Sequence, residues 1–119
     1  MTEALMNLRE AGQMMHEAVV AENLQQVGEV LEFNWENQRR LYEEMTTAKI
    51  DALFSVASAA GLLGGKACGA GGGGCIVLLC QPDREHLVRR AVEDLGGQCI
   101  DFNFDHQGLQ VWNPARTGR

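Results

Sequence analysis

The chain has 119 residues and a mass of 13.0 kDa, which suits one domain built around one core. Hydrophobic residues make up 45% and charged residues 22%, an ordinary globular balance that argues against a disordered chain. Acidic residues outnumber basic ones 16 to 10, and the net charge of −6 disfavours a nucleic-acid backbone as partner.

The opening residues, Met1 to Met6, lack the basic region and apolar core of a signal peptide, so a cytoplasmic address is the default expectation. Leu5, Leu8, Met15 and Val19 recur at helical spacing and predict a first helix with that stripe inward. A second stripe runs through Leu24, Val27, Leu31, Trp35, Gln38 and Leu41, after a corner at Glu22-Asn23 in which Asn23 is a candidate cap. At that spacing Trp35 reads as core rather than as a stacking platform. Thr46 and Thr47 precede a third helix whose apolar side is Ile50, Leu53, Phe54 and Ala57, and Gly61 is placed to end it in a left-handed conformation.

The period then changes. Cys75 to Cys80 is a short, continuous apolar run that predicts a buried strand, with Gly65 to Gly69 as its partner strand. No run in the chain approaches the ~18 apolar residues of a membrane helix, so no membrane partner is expected. Pro82 and Asp83 open a fourth helix with Leu87, Val88, Ala91, Val92 and Leu95 inward, and Gly96-Gly97 stop it. Ile100, Phe102 and Phe104 alternate with Asp101, Asn103 and Asp105, the pattern of a half-buried strand. Turn residues 105–108 lead to a return strand beginning at Leu109 and Val111, and 114–119 form a tail. The expected architecture is α+β in a single domain, 1–119. A helical part (1–61) precedes a sheet part (62–113) of order β-β-α-β-β, giving a four-stranded, mainly antiparallel sheet.

Side-chain chemistry is sparse. The basic pairs Arg39-Arg40 and Arg89-Arg90 sit in helical patterns among glutamates, not in a binding face. Cys68, Cys75, Cys80 and Cys99 form no C-x-x-C and have no histidine at finger spacing, so they read as reduced, partly buried thiols and no metal site is expected. His16, His86 and His106 are isolated, and Asp51, Asp101 and Asp105 read as the wet faces of their elements; no catalytic residue is assigned.

One segment carries chemistry. Eight of the 14 glycines fall within Gly61 to Gly74, and Gly71 to Gly74 are consecutive. Four such residues in fixed conformations cost about 2–4 kcal/mol relative to alanine, which calls for a backbone-geometry reason. A row of amide N–H groups turned towards an anion supplies one, since each charge-assisted hydrogen bond is worth about 1.5–3 kcal/mol. Gly69-x-Gly71-x-x-Gly74 matches the dinucleotide fingerprint in letters, but that motif opens a helix and here a strand follows. The Walker A loop fails too, with Ala67 after Gly65-Lys66 where Ser or Thr is needed.

The stretch Gly64 to Cys75 resembles the third signature motif of the GHMP kinases (galacto-, homoserine, mevalonate and phosphomevalonate kinases), of form G-x-K-x-[ST]-G-[AS]-G-x-G-G-[CS]. Asn34-Trp35 with Gln38, Arg39 and Leu41, then Thr46-Thr47 and Ile50-Asp51, resembles the sugar-kinase branch around the heptose-phosphate and fucose kinases. The likeness spans nearly the whole chain. It implies the ferredoxin-like C-terminal domain of an ATP- and magnesium-dependent enzyme that phosphorylates a sugar or sugar-phosphate hydroxyl. The family's ATP loop, P-x-x-x-G-L-x-S-S-A, has no counterpart here, because the only prolines are Pro82 and Pro114. Catalytic base, metal ligands and ATP loop would belong to an N-terminal kinase domain, in the same or a separate chain. Without it this chain is expected to be inactive, to bind no cofactor unaided and to favour a homodimer over a bare face.

Gly69, Ala70, Gly71, Gly72 and Gly73 carry over as residues that support the phosphates. Lys66 either faces those phosphates or sits solvated on its strand. Thr46 and Thr47 either cap the third helix or border the acceptor, and Cys68 departs from the family's Ser or Thr, which removes a hydroxyl. The alternatives are a non-catalytic module that binds a small anion or nucleotide through the same amides, or a structural dimerisation domain.

Overall fold

A computed structural model describes residues 2–41, 47–68, 74–104, 107, 109 and 111. Four helices and one antiparallel strand pair follow in the order α1 (Thr2–Val20), α2 (Leu24–Leu41), α3 (Ala48–Gly61), β1 (Leu62–Ala67), β2 (Ile76–Cys80) and α4 (Glu85–Asp94). The α+β class is as expected.

α1 and α2 form a helical hairpin around a three-residue corner. Glu22 takes a positive φ of 55°, and Asn23 Oδ1 accepts from the Gln26 N–H at 3.1 Å, so Asn23 caps α2 as the sequence predicts. The buried face of α1 is not the expected leucine stripe. Ala4, Ala11 and Ala18, each seven residues apart, are fully buried, whereas Leu5 and Val19 are more than half exposed. On α2 the buried residues are Gly28, Val30, Trp35 and Asn37, and Leu24 lies outside. Side-chain volume explains the shift on α1: small residues let two helix backbones approach closely, and larger neighbours are turned to the flanks.

A polar node holds this hairpin in register. Asn37, 2% exposed, accepts at Oδ1 from the Asn7 amide (3.0 Å) and from Arg40 (3.1 Å), and donates to the Phe33 carbonyl (2.8 Å). Its amide is thus satisfied within the protein, which is the condition for burying it. Arg40 also reaches Glu3 at 3.7 Å, an exposed ion pair of small worth.

α3 begins at Thr47, whose hydroxyl oxygen accepts from the Ile50 N–H at 3.2 Å, and ends at Gly61 with φ 127°. Leu62 is already extended, so α3 passes into β1 with no loop between them. The partner strand therefore starts at Leu62 and stops at Ala67, earlier than the expected Gly65 to Gly69. β1 pairs antiparallel with β2, from Leu62 opposite Cys80 to Ala67 opposite Ile76, with an irregularity between Leu62 and Gly64.

Glycines let α2 lie directly on β1. A Cβ at Gly64 would overlap the Gly28 carbonyl, and one at Gly28 would stand 2.6 Å from the Leu63 carbonyl oxygen. Behind this contact, Leu53 and Ala57 of α3 pack with Val88 and Val92 of α4, while Trp35, Ile50 and Ala67 form an adjoining cluster. Ile76 touches both, so the two make one continuous core.

α4 begins at Glu85, after a turn in which Asp83 has φ 66°, and not at Pro82-Asp83. Val88 and Val92 point inward, but Leu87 and Leu95 are 37% and 43% exposed, because a ten-residue helix lying on one neighbour buries a narrow stripe. Gly96, at φ 88°, ends it, with the Gly97 N–H donating to the Val92 carbonyl at 3.0 Å.

Among the described residues the sheet has two strands, β1 and β2, where four were expected. Residues 100–104 form no strand, and Ile100, Phe102 and Phe104 are 66–78% exposed. Leu109 and Val111, expected in the return strand, are exposed as well, and neither lies in a strand. Alternation supplies a strand with one apolar face, but pairing also needs a neighbouring edge in register. Here Phe102 and Phe104 pack edge-on to each other at 5.4 Å, and Asp101 bonds Arg89 at 3.1 Å. No helix among the described residues is long and apolar enough to cross a membrane.

Three substitutions test the packing and the caps. Gly64→Ala forces α2 off β1 and is expected to lower unfolding free energy by about 2–3 kcal/mol. Gly12→Ala, in mid-helix with nothing within 4 Å of its new methyl beyond its chain neighbours and its own helix backbone, is expected to add about 0.5–1 kcal/mol. Thr47→Ala removes the cap of α3 and should cost about 1 kcal/mol. Urea midpoints at constant slope check all three.

Candidate functional site

α3 and β1 run back to back, since Gly61 turns the chain without a loop. A helix of 14 residues rises about 21 Å and a strand of six about 20 Å, so the chain returns from Gly61 to the level at which α3 began. Packing agrees with this: Ile50, in the first turn of α3, shares a cluster with Ala67, the last residue of β1. Thr47, Trp35 and the end of β1 thus gather at one end of the molecule, where the glycine segment leaves the strand.

The neck of that segment is hydrogen-bonded. The Cys68 N–H donates to the Cys75 carbonyl at 2.9 Å, and Ala67 faces Ile76 one step before. The glycine run is therefore bracketed by two paired strands and does not open a helix, as the sequence implies. Gly69, Ala70, Gly71, Gly72 and Gly73 lie outside the described residues, as does Thr46.

Lys66 is half-buried on β1 opposite Val77, one residue from the core position of Ala67. Thr47 is a cap, and its oxygen is committed as an acceptor while its O–H can still donate. Cys68 and Cys75 are both exposed, which corrects the expectation of partly buried thiols at these positions. Their place at the mouth of the hairpin, past the last core residue, is the reason. Cys80 and Cys99 do pack against the core, and burial, with Glu85 nearby, pushes the Cys80 thiol up from its ordinary range.

Trp35 is core, as the spacing indicates: it is 5% exposed and stacks on Phe54 at 5.9 Å. Its outer edge still contributes to a shallow groove of about 360 Å³ between α2 and α3, floored in part by Gly65. Arg39 lies over the indole at 5.6 Å, a cation–π contact, and Glu32, Glu36, Asp51, Ser55 and Ser58 complete the rim. Sequence reading passes over most of these rim residues. The signal is available in the i, i+4, i+7 spacing of Asp51, Ser55 and Ser58 and the i, i+4 spacing of Glu32 and Glu36, which put each set on one helix face.

No cluster of three or more His, Cys, Asp or Glu side chains able to hold a metal ion occurs among the described residues. The arrangement offers a paired-strand neck for a glycine segment, one lysine beside it and a polar groove.

Comparison with known proteins gives this geometry a context. Residues 3–98 match the family model for the C-terminal domain of GHMP kinases. The D-glycero-alpha-D-manno-heptose 7-phosphate kinase of Campylobacter jejuni is 23% identical over 110 residues, covering 92% of this chain and 32% of that protein. The mevalonate kinase of Pyrococcus horikoshii is 33% identical over 95 residues, covering 80% of this chain and 28% of that enzyme. The mevalonate kinase of Pyrococcus furiosus is 36% identical over 67 residues, or 56% of this chain and 20% of the enzyme. The chain thus spans a third or less of the length of these curated relatives. With the match running from α1 through α4 and across the glycine hairpin, the chain belongs to the GHMP kinase C-terminal domain family.

Proposed function

We propose that this chain acts as the C-terminal domain of an ATP-dependent kinase whose acceptor is a sugar or sugar phosphate. The observation that carries the reading is the glycine run Gly69 to Gly74, held between two paired strands in a chain of this family. The likeness to a heptose 7-phosphate kinase over nearly the whole chain favours the sugar branch.

The role assigned to the chain is support, not chemistry on the phosphorus. Phosphoryl transfer is catalysed mostly by positioning and by neutralising the charge that develops on the transferred group. Gly69, Ala70, Gly71, Gly72 and Gly73 would present main-chain N–H groups to ATP phosphates, and glycine at these places leaves no Cβ to hold the anion away. Lys66, on the strand that leads into the run, would add a mobile positive charge. The groove rimmed by Arg39, Ser55 and Ser58 would form one wall for the acceptor, its hydroxyls and carboxylates suited to a polyol. Magnesium would neutralise the phosphates in the complete enzyme. Its ligands, the base and the main ATP loop are assigned to a partner N-terminal domain, because the sequence carries no P-x-x-x-G-L-x-S-S-A element.

A second reading differs only in the acceptor. The archaeal mevalonate kinases are more similar residue for residue, at 33–36%, over shorter stretches, and favour a small hydroxy acid in place of a sugar.

Purified chain joined to a domain that carries the ATP loop is expected to transfer phosphate from ATP to a heptose phosphate, and the chain alone is expected to transfer none. Transfer to mevalonate and not to sugars would select the second reading; turnover by the chain alone would overturn the division of labour. Gly72→Val should reduce kcat/KM of the joined enzyme by at least tenfold, equivalent to about 1.4 kcal/mol of transition-state stabilisation. A variant that keeps full activity would remove the glycine run from the site.

A further inference from the structure

Two of the four cysteines face each other across the hairpin. Lys66 opposite Val77 and Ala67 opposite Ile76 are successive pairs of the ladder, and the same register carried one residue further sets Cys68 opposite Cys75. The 2.9 Å bond from the Cys68 N–H to the Cys75 carbonyl shows that the pairing holds there. As a hydrogen-bonded pair, Cys68 and Cys75 belong to the wider kind of antiparallel pair, with Cα atoms about 5.5 Å apart, inside the roughly 4.4–6.8 Å that a disulfide spans, while their Cβ atoms, at the wide end of about 4.5–5.5 Å, must close to about 3.5–4.5 Å. A small closing movement at the ends of two short strands bridges that difference. Both thiols are free and exposed, so an oxidant reaches them without unfolding the domain.

The other two cysteines differ on each point. Cys80 and Cys99 are partly buried against the cluster of Leu53, Ala57, Val88 and Val92, and burial holds the Cys80 thiol protonated to higher pH. They provide an internal comparison.

We propose that Cys68 and Cys75 are a redox modification site that closes to an intramolecular disulfide under mild peroxide and reopens with a thiol reductant. One thiolate attacks a peroxide oxygen, breaking the O–O bond to give a sulfenic acid and, with one proton, water. The second thiolate then attacks the sulfenic sulfur, the S–S bond forms, and the hydroxyl leaves as a second water after protonation. Two thiols lose two electrons and two protons, and one hydrogen peroxide becomes two waters. The product ties the neck of the glycine segment into a ring that encloses residues 69–74. This site stands on the strand register and on exposure, independently of any kinase role.

The test uses the full chain, reduced, then treated with equimolar hydrogen peroxide and read by intact mass and peptide mapping. The expected result is a monomer lighter by two hydrogens, a linked pair of peptides that contains Cys68 and Cys75, and full reversal by dithiothreitol. Cys68→Ser and Cys75→Ser should each abolish the mass loss, while Cys80→Ser and Cys99→Ser should leave it unchanged. A Cys80–Cys99 link, a disulfide between two chains, or single-cysteine oxygen adducts in place of the internal link would each overturn the proposal.

Discussion

The rest of the fold is arranged around one contact between two stretches of main chain. α2 rests on β1 where Gly28 meets Leu63 and Gly64, with no room for a single methyl group on either side. Close-packed interiors transmit such a constraint outward, because neighbouring elements cannot shift to absorb even one extra carbon. With α2 fixed at that height, Trp35 reaches Phe54 of α3 and Ile50 and Ala67 complete the cluster beneath it. Site geometry at this end of the molecule therefore depends on two residues chosen for lacking a side chain.

The helical hairpin contributes a second, polar constraint. Asn37 is as deeply buried as the aliphatic residues around it, and its three hydrogen bonds join α1 to α2 through Asn7 and tie Arg40 and the Phe33 carbonyl to the same point. An apolar seam of alanines could slide by a turn at little cost, whereas a buried amide leaves unpaired groups if it moves. The alanines provide proximity and the asparagine provides register.

Much of the architecture is legible in the residues. Asn23, Thr47, Gly61 and Gly96 mark helix ends correctly because capping is a local matter, decided by a side-chain oxygen or a positive φ within a few residues. The apolar side of α3 is equally readable. The stripe of α1 is misread because periodicity ranks residues by hydrophobicity, while a tight helix pair selects them by size; of the α2 stripe Trp35 is buried as read and Leu24 is exposed. Ile100, Phe102 and Phe104 show the same weakness in the sheet: alternation describes a face, and a face alone does not supply a strand partner. Of the candidate site, the strand–glycine–strand order and the capping role of Thr47 are visible in advance. The exposure of Cys68 and Cys75 and the rim of the groove are not.

Composition and spacing alone determined the α+β class, the helix ends at Asn23, Thr47, Gly61 and Gly96, and a glycine run that cannot open a helix, since each follows from backbone preferences within a few residues. The family likeness is also carried by the letters themselves. Tertiary structure decided which small residues touch, that Asn37 is buried and satisfied, that β1 follows α3 without a loop, and that two cysteines stand opposite each other at the hairpin mouth. The contacts of Gly28 with Gly64 and of Asn7 with Asn37 join segments 30 or more residues apart, fixed by how closely two backbones can approach, and local preference carries no record of that distance.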